Sequence, residues 1–170
     1  MILRPLSSFF DANPDFKIVF KDGPVVAEIN RFTAYGSYGS FSAGIDSGSI
    51  RLTKCVENAW NNVTIETSDE LLAFVSVGFR ATRYNAGAFW VSYPIFPQTT
   101  LQSYVRFNIG GMISPKRFPN NFSYVFWFPK GREVALRIYN ACMDLRIFPI
   151  ASGQEILSAI DANIEKLKQA

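Results

Sequence analysis

Apolar and polar positions alternate along most of the first 128 residues, and the alternation predicts strands. Phe16-Lys17-Ile18-Val19-Phe20 and Val25-Val26-Ala27-Glu28-Ile29 flank Lys21-Asp22-Gly23-Pro24, and an Asp-Gly between two apolar runs predicts a hairpin. Ile50 to Val56 and Val63 to Thr67 repeat the period of a half-buried strand. Leu71 to Thr82 reads as a long strand, with a short helix capped by Ser68 over residues 69–77 as the competing reading. Ala88 to Phe96, Leu101 to Ile109 and Phe122 to Phe128 are rich in residues that suit a pleated surface, and Gly110-Gly111 with Pro115 and Pro119 separates the last two. In Ser123 to Phe128 both alternating faces are apolar, which predicts a strand covered on two sides with Trp127 in the core.

After Pro129 the period changes. Val134, Leu136, Ile138, Tyr139, Cys142 and Leu145 follow helical spacing and predict a helix over 132–146. Ser152-Gly153-Gln154-Glu155 matches a capping box, and Ile156, Ile160, Ile164 and Leu167 form the stripe of an amphipathic helix over 153–168. Lys166 and Lys168 in its last turn complement the helix dipole. The expected fold is therefore α+β: an antiparallel β-sheet meander over residues 16–128 followed by two C-terminal helices, 132–146 and 153–168, in one domain spanning 1–170.

Composition sharpens this outline in three ways. With 170 residues, 48% of them hydrophobic, the chain can bury a core without structural metal. Cys55 and Cys142 form no C-x-x-C unit and are expected to be buried thiols in a reducing cytosol, with one bridge between them as the alternative. No apolar run reaches the roughly 18 residues of a membrane span, and the N-terminus lacks a signal-peptide apolar core, so a cytoplasmic protein without membrane partners is expected.

Histidine is absent, which removes Ser-His and Cys-His nucleophilic systems and His-based metal sites. No phosphate-cradling glycine motif is present. The expectation is a protein that is not an enzyme and has no catalytic residues, metal site or cofactor. A magnesium site built from carboxylates such as Glu66 and Asp69 is the weakest of the readings, because no spacing singles out a pair.

Charge supplies the positive candidate. The net charge of +3 is uneven: residues 1–70 balance at −3, residues 71–132 carry seven bases and no acid, and residues 133–170 balance at −1. The same acid-free stretch holds fifteen of the twenty-six aromatic residues. Cations that track phosphates, interleaved with rings on which bases stack, are the chemistry of single-stranded nucleic-acid binding. Arg80, Arg83, Tyr84, Trp90 and Arg106 on the expected sheet are the candidate contacts. They are joined by the loop residues Lys116, Arg117, Phe118, Lys130 and Arg132. Lys130-Gly131-Arg132 is also expected to precede a helix, whose first amides favour anions. Interfaces favour Tyr, Trp, Phe and Arg as well, so the alternative is an assembly module, such as a viral or mobile-element accessory factor. Such a module would dock on a larger protein through exposed aromatics, and a homo-oligomer is a further expectation about partners.

Overall fold

The computed structural model describes residues 3–44, 47–82, 87–94, 104–108 and 120–170. Its elements are α1 (Leu6–Ala12), β1 (Ile18–Asp22), β2 (Val25–Ile29), β3 (Gly36–Tyr38), β4 (Phe41–Ala43), β5 (Ile50–Thr67) and β6 (Leu71–Ala81). They continue as β7 (Ala88–Pro94), β8 (Tyr104–Asn108), β9 (Asn120–Phe128), β10 (Val134–Ser152) and α2 (Gly153–Lys168). All ten strands belong to one antiparallel sheet. The turn between β1 and β2 is Gly23-Pro24, with Gly23 at φ +58°, a conformation that glycine adopts without a Cβ clash.

The expected α+β arrangement is overturned at its centre. Residues 134–152 form a 19-residue strand, not a helix, and that strand lies inside the sheet rather than after it. The strand order β2-β1-β5-β10-β6-β9 inserts the last strand between β5 and β6, so the sheet is no simple meander. The misleading helical spacing has a physical source. Val134, Leu136 and Ile138 are buried at period two, and Ala141, Met143, Leu145 and Ile147 resume that period after a one-residue phase shift at Asn140. Two alternating runs joined by an odd step leave apolar residues at positions 134, 138, 141 and 145, which a helix would place on one face. Pro149 stands near the far end, beside a second irregularity in the pairing with β6, where a missing N–H is tolerated. The early chain holds a further element: α1 covers residues for which the sequence reading assigns none, and seven residues are too few for a period to declare itself. Leu6, Phe9 and Phe10 of α1 are buried.

The step at Asn140 is also the corner of the fold. The register of β10 on β5 shifts between Tyr139, opposite Trp60, and Ala141, opposite Val56. Asn140 and Asn58 both take left-handed φ, +47° and +57°, and the Asn58 N–H donates to Asn140 Oδ1 across the bulge. On its other edge β10 changes neighbour at the same level. Ala141 to Ser152 pair with β6, and Ala135 to Tyr139 pair with β7. Gly87 sits where β7 takes over, and a Cβ there would lie 2.9 Å from the Ala81 Cβ, so the backbones approach too closely for a side chain.

Folding at this corner turns the two halves of the ribbon toward each other. Ile65, Val91, Val134 and Leu136 from one half and Val75, Phe126, Phe128, Leu145 and Ile147 from the other line the same small internal void. Phe79 meets Phe89 (centroids 5.9 Å apart) and Phe20 meets Phe41 (4.6 Å), closing the core on two sides. A half-buried to buried ion pair lies inside as well, where Lys54 donates to both carboxylate oxygens of Asp22 and Ser40 Oγ donates to Oδ2. On β9 the inward residues are Tyr124, Phe126 and Phe128, while Val125 and Trp127 are exposed. Trp127 is thus a surface residue and not the core residue expected.

The cysteines are bridged, contrary to the expectation of two thiols. Cys55 and Cys142 are direct partners in the β5–β10 register with Cα atoms 4.0 Å apart, and Cys55 is exposed. Two predictions follow from the ribbon. Reduction should lower stability in urea unfolding by roughly 2–4 kcal/mol, the usual effect of a bridge closing a long loop. Asn140→Ala, which removes the acceptor for Asn58 and disfavours the left-handed backbone, should cost about 1–3 kcal/mol. Asn140→Gly in the same assay should recover only the backbone part.

Candidate functional site

Of the residues proposed from the sequence, the five that lie among the described residues are not all brought together. Arg83, Tyr84, Lys116, Arg117 and Phe118 lie outside the described residues. Arg80 pairs with Cys142 near the corner, whereas Lys130 follows Phe128, which pairs with Leu71 at the opposite end of β6. The two cations are therefore separated by about 30 Å, at roughly 3.3 Å per strand residue. Lys130-Gly131-Arg132 forms a turn into β10, with Gly131 at φ +63° and its N–H donating to Thr67 O. It precedes a strand, so the expected helix N-terminus is not there.

Trp90 and Arg106 stand closer together. Register pairs Trp90 with Arg137 of β10 and with Asn108 of β8, and pairs Ser92 with Arg106. This brings their strands to a feature absent from the sequence reading. Trp60 of β5 and Tyr139 of β10 are cross-strand partners just below the corner, with ring centroids 5.1 Å apart and planes inclined at 30°. The Arg137 guanidinium lies over the Trp60 ring, 4.8 Å from its centroid, and donates from Nε to Asn62 Oδ1. Trp60 is 43% exposed, so the ring and cation form a surface platform. Trp60 falls outside the acid-free segment, and Arg137 and Tyr139 fall in the presumed helix. Only the β5–β10 register unites them.

A second outer surface is apolar. Phe74 on β6 and Phe148 on β10 are half-buried partners with centroids 6.0 Å apart. On β9, Val125 pairs with Phe74, and Trp127 pairs with Leu72.

The third surface is α2. Ser152 caps it in both directions of a capping box: Glu155 N–H donates to Ser152 Oγ, and Ser152 N–H donates to Glu155 Oε1. The root is clamped further. Arg4 donates through both terminal nitrogens to Glu155 at 2.6 and 3.1 Å, Asn13 Nδ2 donates to Glu155 Oε1 at 2.7 Å, and Ser152 Oγ donates to Asn13 Oδ1 at 2.6 Å. Partial burial pushes Glu155 up, but the bonds from Arg4, Asn13 and the Ser152 backbone, with the Arg4 charge, outweigh it and hold the carboxyl below its ordinary range. Beyond this root the helix leaves the body. Every residue from Leu157 to Lys168 is exposed, including Leu157 (61%), Ile160 (48%), Ile164 (44%) and Leu167 (75%).

An open cleft of about 770 Å³ lies beside the root, lined by Asn13, Asp15, Asp69, Lys130, Gln154 and Ser158 among others. Its one cation is set among carboxylates, which does not suit a phosphate. Among the described residues no three His, Cys, Asp or Glu side chains are grouped so as to hold a metal ion, and no helix is long and apolar enough to cross a membrane.

No protein-family model matches the sequence, and no curated protein matches it. Among solved structures, the chain is similar to the enzymatically active domain of bacteriophage CBA120 tailspike protein 4, at 13% identity and a TM-score of 0.31. The likeness covers 86% of this chain but 20% of that one, and at that score it carries no argument.

The Glu155 clamp predicts a pH dependence. Because the folded carboxyl is held below its unfolded value of about 4.3, its contribution is complete above that pH and disappears as pH falls through the lowered folded value. The stability difference between wild type and Glu155→Gln, measured by urea unfolding, should be constant near neutrality and shrink below about pH 4.

Proposed function

We propose that this chain is a non-enzymatic assembly module that works by docking α2 onto other protein. The observation that carries this reading is the helix itself. A 16-residue helix buries only its first residue, Gly153, while it exposes an apolar stripe. Isolated helices of about 12–15 residues are marginal in water, and most helical stability comes from packing an apolar face. Exposed contiguous apolar surface on a folded protein marks an interaction site. The clamp of Arg4, Asn13 and Ser152 on the helix root gives the stripe a fixed point of departure.

Binding of single-stranded nucleic acid is the second reading, and one observation favours it: the Trp60, Tyr139 and Arg137 platform, with Trp90 and Arg106 on the neighbouring strands. Its weakness is the separation of Arg80 from Lys130 and Arg132. A cytoplasmic location belongs among these proposals too. The Cys55–Cys142 bridge argues against it, because a reducing cytosol keeps most cysteines as thiols.

Two measurements on the full chain decide between the readings. Fluorescence anisotropy with a short single-stranded oligonucleotide at about 50 mM salt should show no binding; tight binding that falls log-linearly with salt would establish the second reading instead. Cross-linking in producing cells should join Lys166 or Lys168 to a different polypeptide chain, identified by mixing isotope-labelled and unlabelled copies. Cross-links confined to one chain's own body would overturn the assembly reading.

A further inference from the structure

One rung of the sheet is polar across six strands. Register sets Ser37 of β3 beside Ser42 of β4, Ser42 beside Arg51 of β5, and Arg51 beside Arg146 of β10. The rung continues through Ser76 of β6 to Ser123 of β9. It lies on the outer face, because Ile50, Leu52, Leu145 and Ile147, which alternate with the two arginines along their strands, are buried in the core. We propose that the arginine end of this rung binds an oxyanion, the phosphate or carboxylate group of a small ligand. The site includes no residue of α2, so the docking reading neither requires nor excludes it.

Charge gives the first argument. Like charges directly opposite on neighbouring strands destabilise a sheet, so the fold's own stability does not account for Arg51 facing Arg146. Asp144 relieves only one of them. Its carboxylate accepts from Arg51 Nε at 2.8 Å and from Nη2 at 3.0 Å, a forked pair. Arg146 Nη2 stands 3.7 Å from Asp144 Oδ2, and its guanidinium donates no hydrogen bond among the described residues. Two guanidiniums against one carboxylate leave a positive surplus on the surface, with a fork of N–H donors suited to a second oxyanion.

Shape gives the second. Both arginines line an open groove of about 470 Å³, together with Tyr35 and the serines Ser37, Ser42 and Ser49. Among its described lining residues there is no carboxylate, unlike the larger cleft beside α2. Serine hydroxyls add neutral donors to the charged ones, and a concave surface of one sign concentrates anions. The wall is held in place by its own bonds. Tyr38 Oη reaches the carbonyl oxygens of Thr33 (2.8 Å) and Tyr35 (3.1 Å), which fixes the backbone that carries the exposed Tyr35 ring. Ser47 Oγ reaches those of Gly44 (3.0 Å) and Ser49 (3.1 Å) in the same way.

Two-dimensional amide NMR of the full chain tests the site, with inorganic phosphate, acetate or chloride added near pH 7 at constant ionic strength so that screening does not vary. Saturable shifts at Ser42, Arg51 and Arg146 are expected with phosphate or with acetate, at a midpoint of about 1 mM. The anion that saturates at the lower concentration identifies the group the ligand carries. Arg146→Gln should raise the midpoint at least about 10-fold, and Arg146→Lys, which keeps the charge without the fork, should fall between the two. Shifts on β1 and β2 that match wild type show that these variants keep the fold. Lys17→Gln, an exposed cation outside the groove, should leave the midpoint unchanged. Shifts that grow alike with all three anions and never saturate, or a midpoint that Arg146→Gln does not move, overturn the site.

Discussion

The fold depends on the need of the 19-residue β10 for hydrogen-bonding partners along both of its edges, over 134–147 on the β5 side and over 135–152 on the other. No single short strand can satisfy such an edge, and an unpaired buried amide costs as much as a lost hydrogen bond. The structure meets the demand by giving β10 the long β5 on one side and two successive strands, β6 and then β7, on the other. The change of neighbour occurs at Asn140, where the strand is also bulged, so one irregularity both bends the ribbon and redistributes its partners. The core between the halves, the cross-strand bridge and the Trp60 platform all take their positions from that register.

Local chemistry was legible in the sequence where it was self-contained. The Asp-Gly hairpin and the capping box of α2 each declare themselves within a few residues, whereas Ile50–Val56 and Val63–Thr67 read as two short strands and are one of 18 residues. What could not be read locally was the consequence of a bulge. A phase shift at Asn140 hides a strand behind helical spacing, and the topology was lost with it because β10 holds the sheet's centre. The same hidden strand concealed Arg137 and Tyr139, so the aromatic and cationic surface was sought in the acid-free segment rather than across β5 and β10. Trp127 shows the converse error. An apolar residue on both faces of a strand suggested double burial, yet only the face of Tyr124, Phe126 and Phe128 turns to the core, and Val125 and Trp127 stand on the outer face of the sheet.

Polar groups in this protein divide between two tasks. Asp22 with Lys54 and Ser40 is drawn inside the fold, and its partners come from β5 and from the turn between β3 and β4. Such a pair is costly to desolvate, and removing one partner would leave the other charge buried without compensation. The cluster of Arg4, Asn13, Ser152 and Glu155 joins the first residues of the chain to the start of its last helix. It ties α1 and α2 to the end of β10 without covering the apolar stripe, and thereby separates holding the helix from occupying it.

The central place of β10 also bears on the order of synthesis. Cys142 emerges 87 positions after Cys55, its partner on β5, and Leu145 emerges 68 positions after Val77, its partner on β6. Contacts so distant in sequence make folding slow, and the waiting strands present open edges meanwhile. A ribosome-bound chain would thus hold both halves of its sheet apart until its final strand arrives, and would be most prone to mispairing just before the core can close.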